Sequence, residues 1–252
     1  MAARFVLVLS GNAGHGKDSF AGLLAKRLRV LDVPVRLDAY AWTLKQIVHL
    51  KCGIPLNILN ADKTVKETTF FYGKTVRSIL QDEGEHARQT LGRTVWADRL
   101  LDRLKAADER VTIITDARHP NEEIIDIRKR IETECPDTLC FNIRIVRASV
   151  PVIHGHPSED LIFAAPDSLF DFKVRNDGDL KDLQRMADAV ANGALLAAQT
   201  SRKQLKKKPA GYRAELLLAA AAPSPGWPYP LAEDAGLTGR QVVPIDLCEV
   251  LP

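Results

Sequence analysis

The chain has 252 residues, 46% hydrophobic and 27% charged, with 35 basic against 32 acidic side chains for a net charge of +3. That is enough for one large domain, or one domain with an appendage, and for a sizeable core. No apolar run reaches the roughly 18 residues of a membrane span, and so balanced a charge does not call for nucleic acid as a partner.

Phe5-Val-Leu-Val-Leu9 reads as a buried strand. It leads through Ser10 into Gly11, Asn12, Ala13, Gly14, His15, Gly16, Lys17, Asp18 and Ser19, in which a glycine, four residues and then Gly-Lys make the spacing of a phosphate-binding loop. The chemistry needs these residue types. Gly11, Gly14 and Gly16 let the backbone curl so that successive N–H groups point inward, and the following helix adds its positive dipole end. Lys17 brings a mobile ammonium to the terminal phosphates. Without a strand before it and a helix after it, the same spacing is an ordinary turn; here both flanks are present. The general motif places Ser or Thr directly after the lysine to hold magnesium. Asp18 stands there and Ser19 follows, so the metal contact is open between them.

Phe20, Leu23, Leu24, Leu28 and Leu31 recur at helical spacing and predict a helix over 17–31. Pro34 breaks it, and Val33–Leu37 reads as a short strand ending at Asp38. Strand, helix, strand begins a parallel α/β sheet with a right-handed crossover. Residues 40–51 read as helical, 54–74 as a polar excursion over the sheet edge, and about 75–83 and 86–107 as two helices. Val111–Thr115 is a β-branched strand closed by Asp116. Pro120 opens a helix to about 132 with acidic residues in its first turn. Leu139–Val146 is a further strand. Pro151, Gly155, Pro157 and Pro166 predict an irregular, mobile excursion over 147–170. Phe172–Val174 is the last short strand, Asn176-Asp-Gly178 a turn, and 179–197 the last helix.

Beyond 198 a basic run at 201–208 and four prolines in 223–230 mark a linker or peripheral extension. The expected organisation is one domain over 1–198 with an extension, of no assigned role, over 199–252. The short N-terminal apolar run is the first strand rather than an export signal. Cys52, Cys135, Cys140 and Cys248, which lack metal spacing, are therefore expected as reduced thiols.

Ligands of an open parallel sheet bind at the carboxyl ends of its strands. The residues placed there are the loop at 11–19, Asp38, Asp116 with Arg118, and Arg147. Asp116 suits a magnesium-holding carboxylate. Phosphoryl transfer needs positive groups around the moving phosphate, and an acceptor that is itself a phosphate needs arginine forks. Arg77, Arg88, Arg93, Arg118 and Arg147 supply them. His156-Pro-Ser-Glu159 lacks the flanking glycines of a nucleophile elbow, and His154 with His156 lacks a third zinc ligand. The basic run has no interleaved aromatics for stacking bases.

Several stretches together resemble the phage-type deoxynucleoside monophosphate kinases, P-loop kinases related to dephospho-CoA kinase. They are Ser10–Ser19, Ala39–Lys45, Thr75–Gln81, Arg88 with Leu91-Gly92, Trp96–Asp98, Thr115–Glu122, His156–Glu159 and Asn176–Gly178, in order across about 4–197. The Gly-Lys-Asp-Ser form is the usual one in that family. The resemblance implies a three-layer P-loop NTPase fold, with a central, mainly parallel sheet and a helical NMP-binding and lid excursion. It implies ATP-dependent phosphorylation of a deoxynucleoside 5′-monophosphate to the diphosphate in the cytoplasm, the host's if the source is viral. Lys17 and the loop would hold the ATP phosphates. Asp18 or Ser19, with Asp116, would position Mg2+. Lys45, Arg77, Arg88 and Arg118 would surround the acceptor phosphate, with Asp38, Gln81 and Trp96 on the substrate side. Arg147 and the 147–170 excursion would close as a lid, and Asn176 and Gly178 would lie beside the adenine. Kinases acting on dephospho-CoA or phosphomevalonate share much of this layout. An ATPase or switch module is a further alternative, and a homodimer stays open as the assembly.

Overall fold

In the computed structural model, which describes residues 4–61, 65, 69–71, 73–152, 157–199 and 245–246, the first strand lies inside a parallel sheet. The elements in chain order are β1 (Arg4–Ser10), α1 (Lys17–Val30), β2 (Val35–Asp38), α2 (Ala41–Cys52), α3 (Leu56–Leu59), β3 (Thr69–Phe71) and β4 (Lys74–Thr75). Then come α4 (Val76–Leu91), α5 (Val95–Ala106), β5 (Val111–Ala117), a π-helical turn (Pro120–Asp126), α6 (Ile127–Glu134) and β6 (Thr138–Val146). The remainder is α7 (Pro157–Ala164), a 3-10 turn (Asp167–Leu169), β7 (Phe172–Arg175), α8 (Leu180–Gln199) and β8 (Ile245–Asp246). The chain divides into two units, Met1–Asp38 with Asp108–Pro252, and Ala39–Ala107.

The first unit carries the sheet, in the order β2-β5-β1-β6-β7-β8 with every neighbouring pair parallel. Leu7 of β1 stands opposite Ile113 of β5 and Phe141 of β6. β1 is apolar and buried along nearly its whole length, as expected of a parallel strand covered on both faces. On one face Phe5, Leu7, Leu9, Phe141 and Ile143 pack under Phe20, Leu24 and Leu28 of α1 and Leu183, Met186 and Val190 of α8. The Phe141 ring sits 6.3 Å from Phe5 and 6.2 Å from Phe172. On the other face α6 packs along β6: Ile127 and Ile131 are fully buried, and Arg128 donates to the Cys140 carbonyl and to Asp171. Helix, sheet and helix make the three layers of a P-loop NTPase fold. The chain leaves β1 toward β2 on one side and leaves β6 toward β7 on the other. These adjacent strands therefore form a switch point, with a crevice at their carboxyl ends.

The second unit holds α2, α3, the β3–β4 hairpin, α4 and α5. The helix expected to break near 84 runs on to Leu91. Gly84 is a packing residue there, since a Cβ on it would lie 3.2 Å from Leu44 Cδ2, and Gly92 at φ +107° ends the helix.

The excursion over 147–170 is more regular than its prolines suggest. Pro157 opens α7, because the first helical position needs no N–H donor. Arg144 holds the far end of that helix by donating to the carbonyls of Ile162, Phe163 and Ala165 and to Asp167. His154, His156 and the extension apart from Ile245–Asp246 lie outside the described residues. Among the described residues Cys52, Cys135 and Cys140 are free thiols, and no helix is long and apolar enough to cross a membrane.

Phe141→Ala removes a fully buried ring from the centre of the first core and is expected to cost about 3–5 kcal/mol in urea unfolding. A loss under about 1 kcal/mol contradicts the packing described.

Candidate active site

β1 ends at Ser10, whose hydroxyl donates to the Ala117 carbonyl of β5 at 3.0 Å. The next six residues wrap into a loop that only glycine permits at its bends: Gly11, Gly14 and Gly16 have φ of +144°, +83° and +92°. Space forbids side chains as firmly as the backbone does. A Cβ on Gly11 would lie 2.2 Å from the Ile145 carbonyl oxygen of β6, and one on Gly16 2.3 Å from Asn176 Nδ2. Asn176 closes the loop from outside, donating Nδ2 to the His15 carbonyl at 3.1 Å.

Lys17 begins α1 and turns back over the loop, its ammonium donating to the carbonyls of Gly11 at 2.6 Å and Asn12 at 2.9 Å. It is only 8% exposed. Burial, then the Arg118 charge, pulls its pKa down to about 8, partly countered by Glu159, Asp18 and Asp116. A desolvated cation at a helix N-terminus, walled by backbone that no Cβ can enter, suits a polyanion.

Asp116 lies inside β5 rather than just past it. The pairing Val8↔Ile114 becomes Ser10↔Ala117, so β5 carries an extra residue at a bulge over Thr115–Asp116, a device that re-aims side chains beside functional sites. Arg118 follows. Its N–H and that of His119 donate to Glu123 Oε2, at 2.8 and 3.1 Å, which anchors the strand end to the π-helical turn.

Glu159 of α7 is a site residue for which the sequence reading had no role, although the His156–Glu159 stretch carries part of the resemblance. Its carboxylate accepts from the Ala13 N–H at 2.9 Å, from Asn12 Nδ2 at 3.2 Å and from the Arg118 guanidinium. Burial pushes its pKa up, but the Arg118 charge and the Ala13 and Asn12 donors outweigh that and hold it below the ordinary carboxylate value. In the sequence Glu159 falls in the excursion read as irregular, at the end of the His156–Glu159 stretch. Its partner lies 147 positions away, which sequence spacing does not reveal.

The first unit thus gathers the 11–19 loop, Asp116, Arg118 and Asn176 of the expected residues. Asp18 and Ser19 are exposed at the loop's rim, open to a hydrated metal. Asp38 is buried at the end of β2, paired with Arg36. A cavity of about 800 Å³ opens at the ends of β6 and β7, lined in part by Asn12, His15, Arg147, Val150, Arg175 and Asp177. His15 is buried, and burial lowers its pKa against the opposing pull of the Ile145 and Val150 backbone. Gly178 serves the entry to α8, where Asp179 accepts from the N–H groups of Lys181 and Asp182.

The other expected residues belong to the second unit. Arg77, Gln81, Gly84 and Arg88 follow one another at helical spacing along one face of α4. Lys45 donates to Asn60 Oδ1 at 2.9 Å, and Trp96 is buried with its indole N–H on the Gly84 carbonyl. Among the described residues no group of three or more His, Cys, Asp or Glu is disposed to hold a metal. A magnesium site built on phosphate needs only one or two protein carboxylates, and Asp116 with Asp18 or Ser19 fits that demand.

No protein-family model matches the chain, and no curated protein matches it. Solved structures similar to it include the APS kinase of Mycobacterium tuberculosis, at 11% identity and a TM-score of 0.38 over 74% of this chain and 95% of that one. Another is TT1252 from Thermus thermophilus, at 15% identity and 0.39 over 80% and 100%. At such TM-scores neither likeness carries an argument, and the reading of the site rests on its own geometry.

Two outcomes are expected. Gly16→Ala forces a Cβ onto Asn176 at a left-handed φ and should weaken ATP binding at least about tenfold with the fold intact by circular dichroism; unchanged affinity contradicts the close approach. A bound polyanion favours the Lys17 ammonium, so above about pH 8 binding must recover a proton. ATP affinity should be level below that pH and fall by up to about tenfold per unit above it, while Lys17→Arg, which keeps its charge, stays flat. A wild-type profile flat to pH 9.5 contradicts the buried ammonium.

Proposed function

We propose that the protein is a P-loop kinase that transfers the terminal phosphoryl group of ATP to a deoxynucleoside 5′-monophosphate. The observation that carries this reading is the buried Lys17 ammonium turned in on the Gly11 and Asn12 carbonyls, beside Asp116 and Arg118. Such a site has no need of a covalent nucleophile. Phosphoryl transfer is catalysed by positioning and by positive charge around the moving group.

In this reading the loop amides and Lys17 hold the β- and γ-phosphates, with the nucleoside of ATP toward the cavity lined by His15, Arg147 and Arg175. Magnesium, when bound, neutralises phosphate charge, and Asp116 with Asp18 or Ser19 would hold it. Arg118 meets the transferred group. The acceptor phosphate is gripped by Arg77 and Arg88 with Lys45, and Gln81 on the same α4 face supplies a polar partner for the rest of the acceptor. The arginine-bearing face of α4 favours an acceptor that already carries a phosphate over water. Residues 1–198 are read as the kinase domain and 199–252 as an extension to it.

Incubation with ATP, Mg2+ and each nucleoside monophosphate, with Lys17→Ala as control, should yield a diphosphate from at least one deoxynucleotide. Dephospho-CoA and phosphomevalonate belong in the same panel. A product from either of those alone, or ATP spent only on water, overturns the assignment. Arg88→Ala should lower kcat/KM for the acceptor by about tenfold to a hundredfold and leave ATP affinity within about threefold. Unchanged acceptor kinetics place Arg88 outside the acceptor site.

A further inference from the structure

Glu159 has no assigned role in the reaction, yet its carboxylate is bonded on both oxygens beside the phosphate loop. It is 5% exposed, and both its oxygens are committed. Oε2 takes the Ala13 N–H and the Asn12 side-chain amide, and Oε1 takes Arg118. The main-chain carbonyl of Glu159 accepts from the same Asn12 amide at 2.9 Å, so α7 is tied to the loop at two points. Arg118 is fixed at its backbone by Glu123 and at its guanidinium by Glu159, while its side chain stays 35% exposed. A guanidinium has five N–H donors, and the bond to Glu159 leaves others for a ligand.

A bare carboxylate next to a phosphate site is a liability, because it repels the substrate. Here the negative charge is spent on Arg118 and on main-chain and amide donors, with Lys17 close enough to interact electrostatically. What the arrangement gains is geometry: an arginine already clamped has little side-chain freedom left to lose when it meets a developing charge.

We propose that Glu159 is a positioning residue whose carboxylate locks the Arg118 guanidinium to the Asn12–Ala13 limb of the loop, so that arginine and loop meet the terminal phosphate as one rigid set. This rests on the phosphoryl-transfer reading above. Its signature is a split between binding and rate. Removing the carboxylate also removes a negative charge, so the ground-state grip on the triphosphate survives while Arg118 loses its aim and transfer slows.

The test is a double-mutant cycle with Glu159→Gln, Arg118→Ala and the pair, reading Kd for Mg-ATP by calorimetry and kcat for transfer of the γ-phosphoryl group, to water if no acceptor serves. Glu159→Gln should leave Kd within about threefold of wild type, or tighter, and lower kcat about tenfold or more. The double variant should be no slower than Arg118→Ala alone, because the glutamate acts through the arginine. Glu159→Asp repeats the test with the charge kept and the reach shortened, should the glutamine variant not fold. The expected result is again a loss in kcat without a loss in affinity. Unchanged kcat, losses that multiply across the pair, or kcat and affinity falling together overturn the proposal. Wild-type protein that does not bind ATP overturns the reading of the site and this inference with it; transfer with multiplying losses overturns the inference alone.

Discussion

A lysine ammonium held out of water, with two main-chain carbonyls for company, is the constraint on which this structure turns. Lys17 starts α1, and its side chain folds back over the loop that precedes it. Burying that charge costs free energy, which is why its pKa falls to about 8. A fold retains such a cost where the group is used, and in the function proposed above the use is a polyanion, whose negative charge compensates the desolvated ammonium. Gly11 and Gly16 follow from that demand, since the backbone must pass close to Ile145 on one side and Asn176 on the other to surround the charge.

The sheet supplies the rest by topology. β1 lies between β5 and β6, so one strand delivers the loop while its neighbours deliver Asp116 with Arg118 and the wall at Ile145. Residues far apart in sequence meet because parallel strands all release their chain at the same edge. The bulge in β5 and the π-helical turn after it are local irregularities at that edge. They place Asp116 and anchor the backbone of Arg118 to Glu123.

The parts legible in the sequence were those governed by local chemistry. A valine- and leucine-rich strand, a glycine-spaced turn and a helix-spaced apolar run need no distant partner to be recognised, and β1, the loop and α1 stand where their spacing puts them. Gly84 and Gly92 show where that stops. Both sit in helical sequence, yet one is buried against Leu44 while the other ends the helix, and only packing tells them apart. Pro157 was read as a breaker although the first turn of a helix accepts proline. Glu159 stood in a stretch that carries the resemblance, yet its role was not legible because its partners, Asn12, Ala13 and Arg118, come from other parts of the chain. Asn176 was expected beside the nucleotide through resemblance alone, and the bond from its amide to the His15 carbonyl gives a physical reason for an asparagine there.

In the proposed function the main chain of residues 11–17 and the Lys17 ammonium together form the seat of a triphosphate. Amide NMR of the labelled protein titrated with Mg-ATP, and in parallel with inorganic triphosphate, tests it most directly. The N–H resonances of Gly14, His15, Gly16 and Lys17 should shift together and saturably with both ligands. Shifts confined to other parts of the chain, or none in this loop, contradict it.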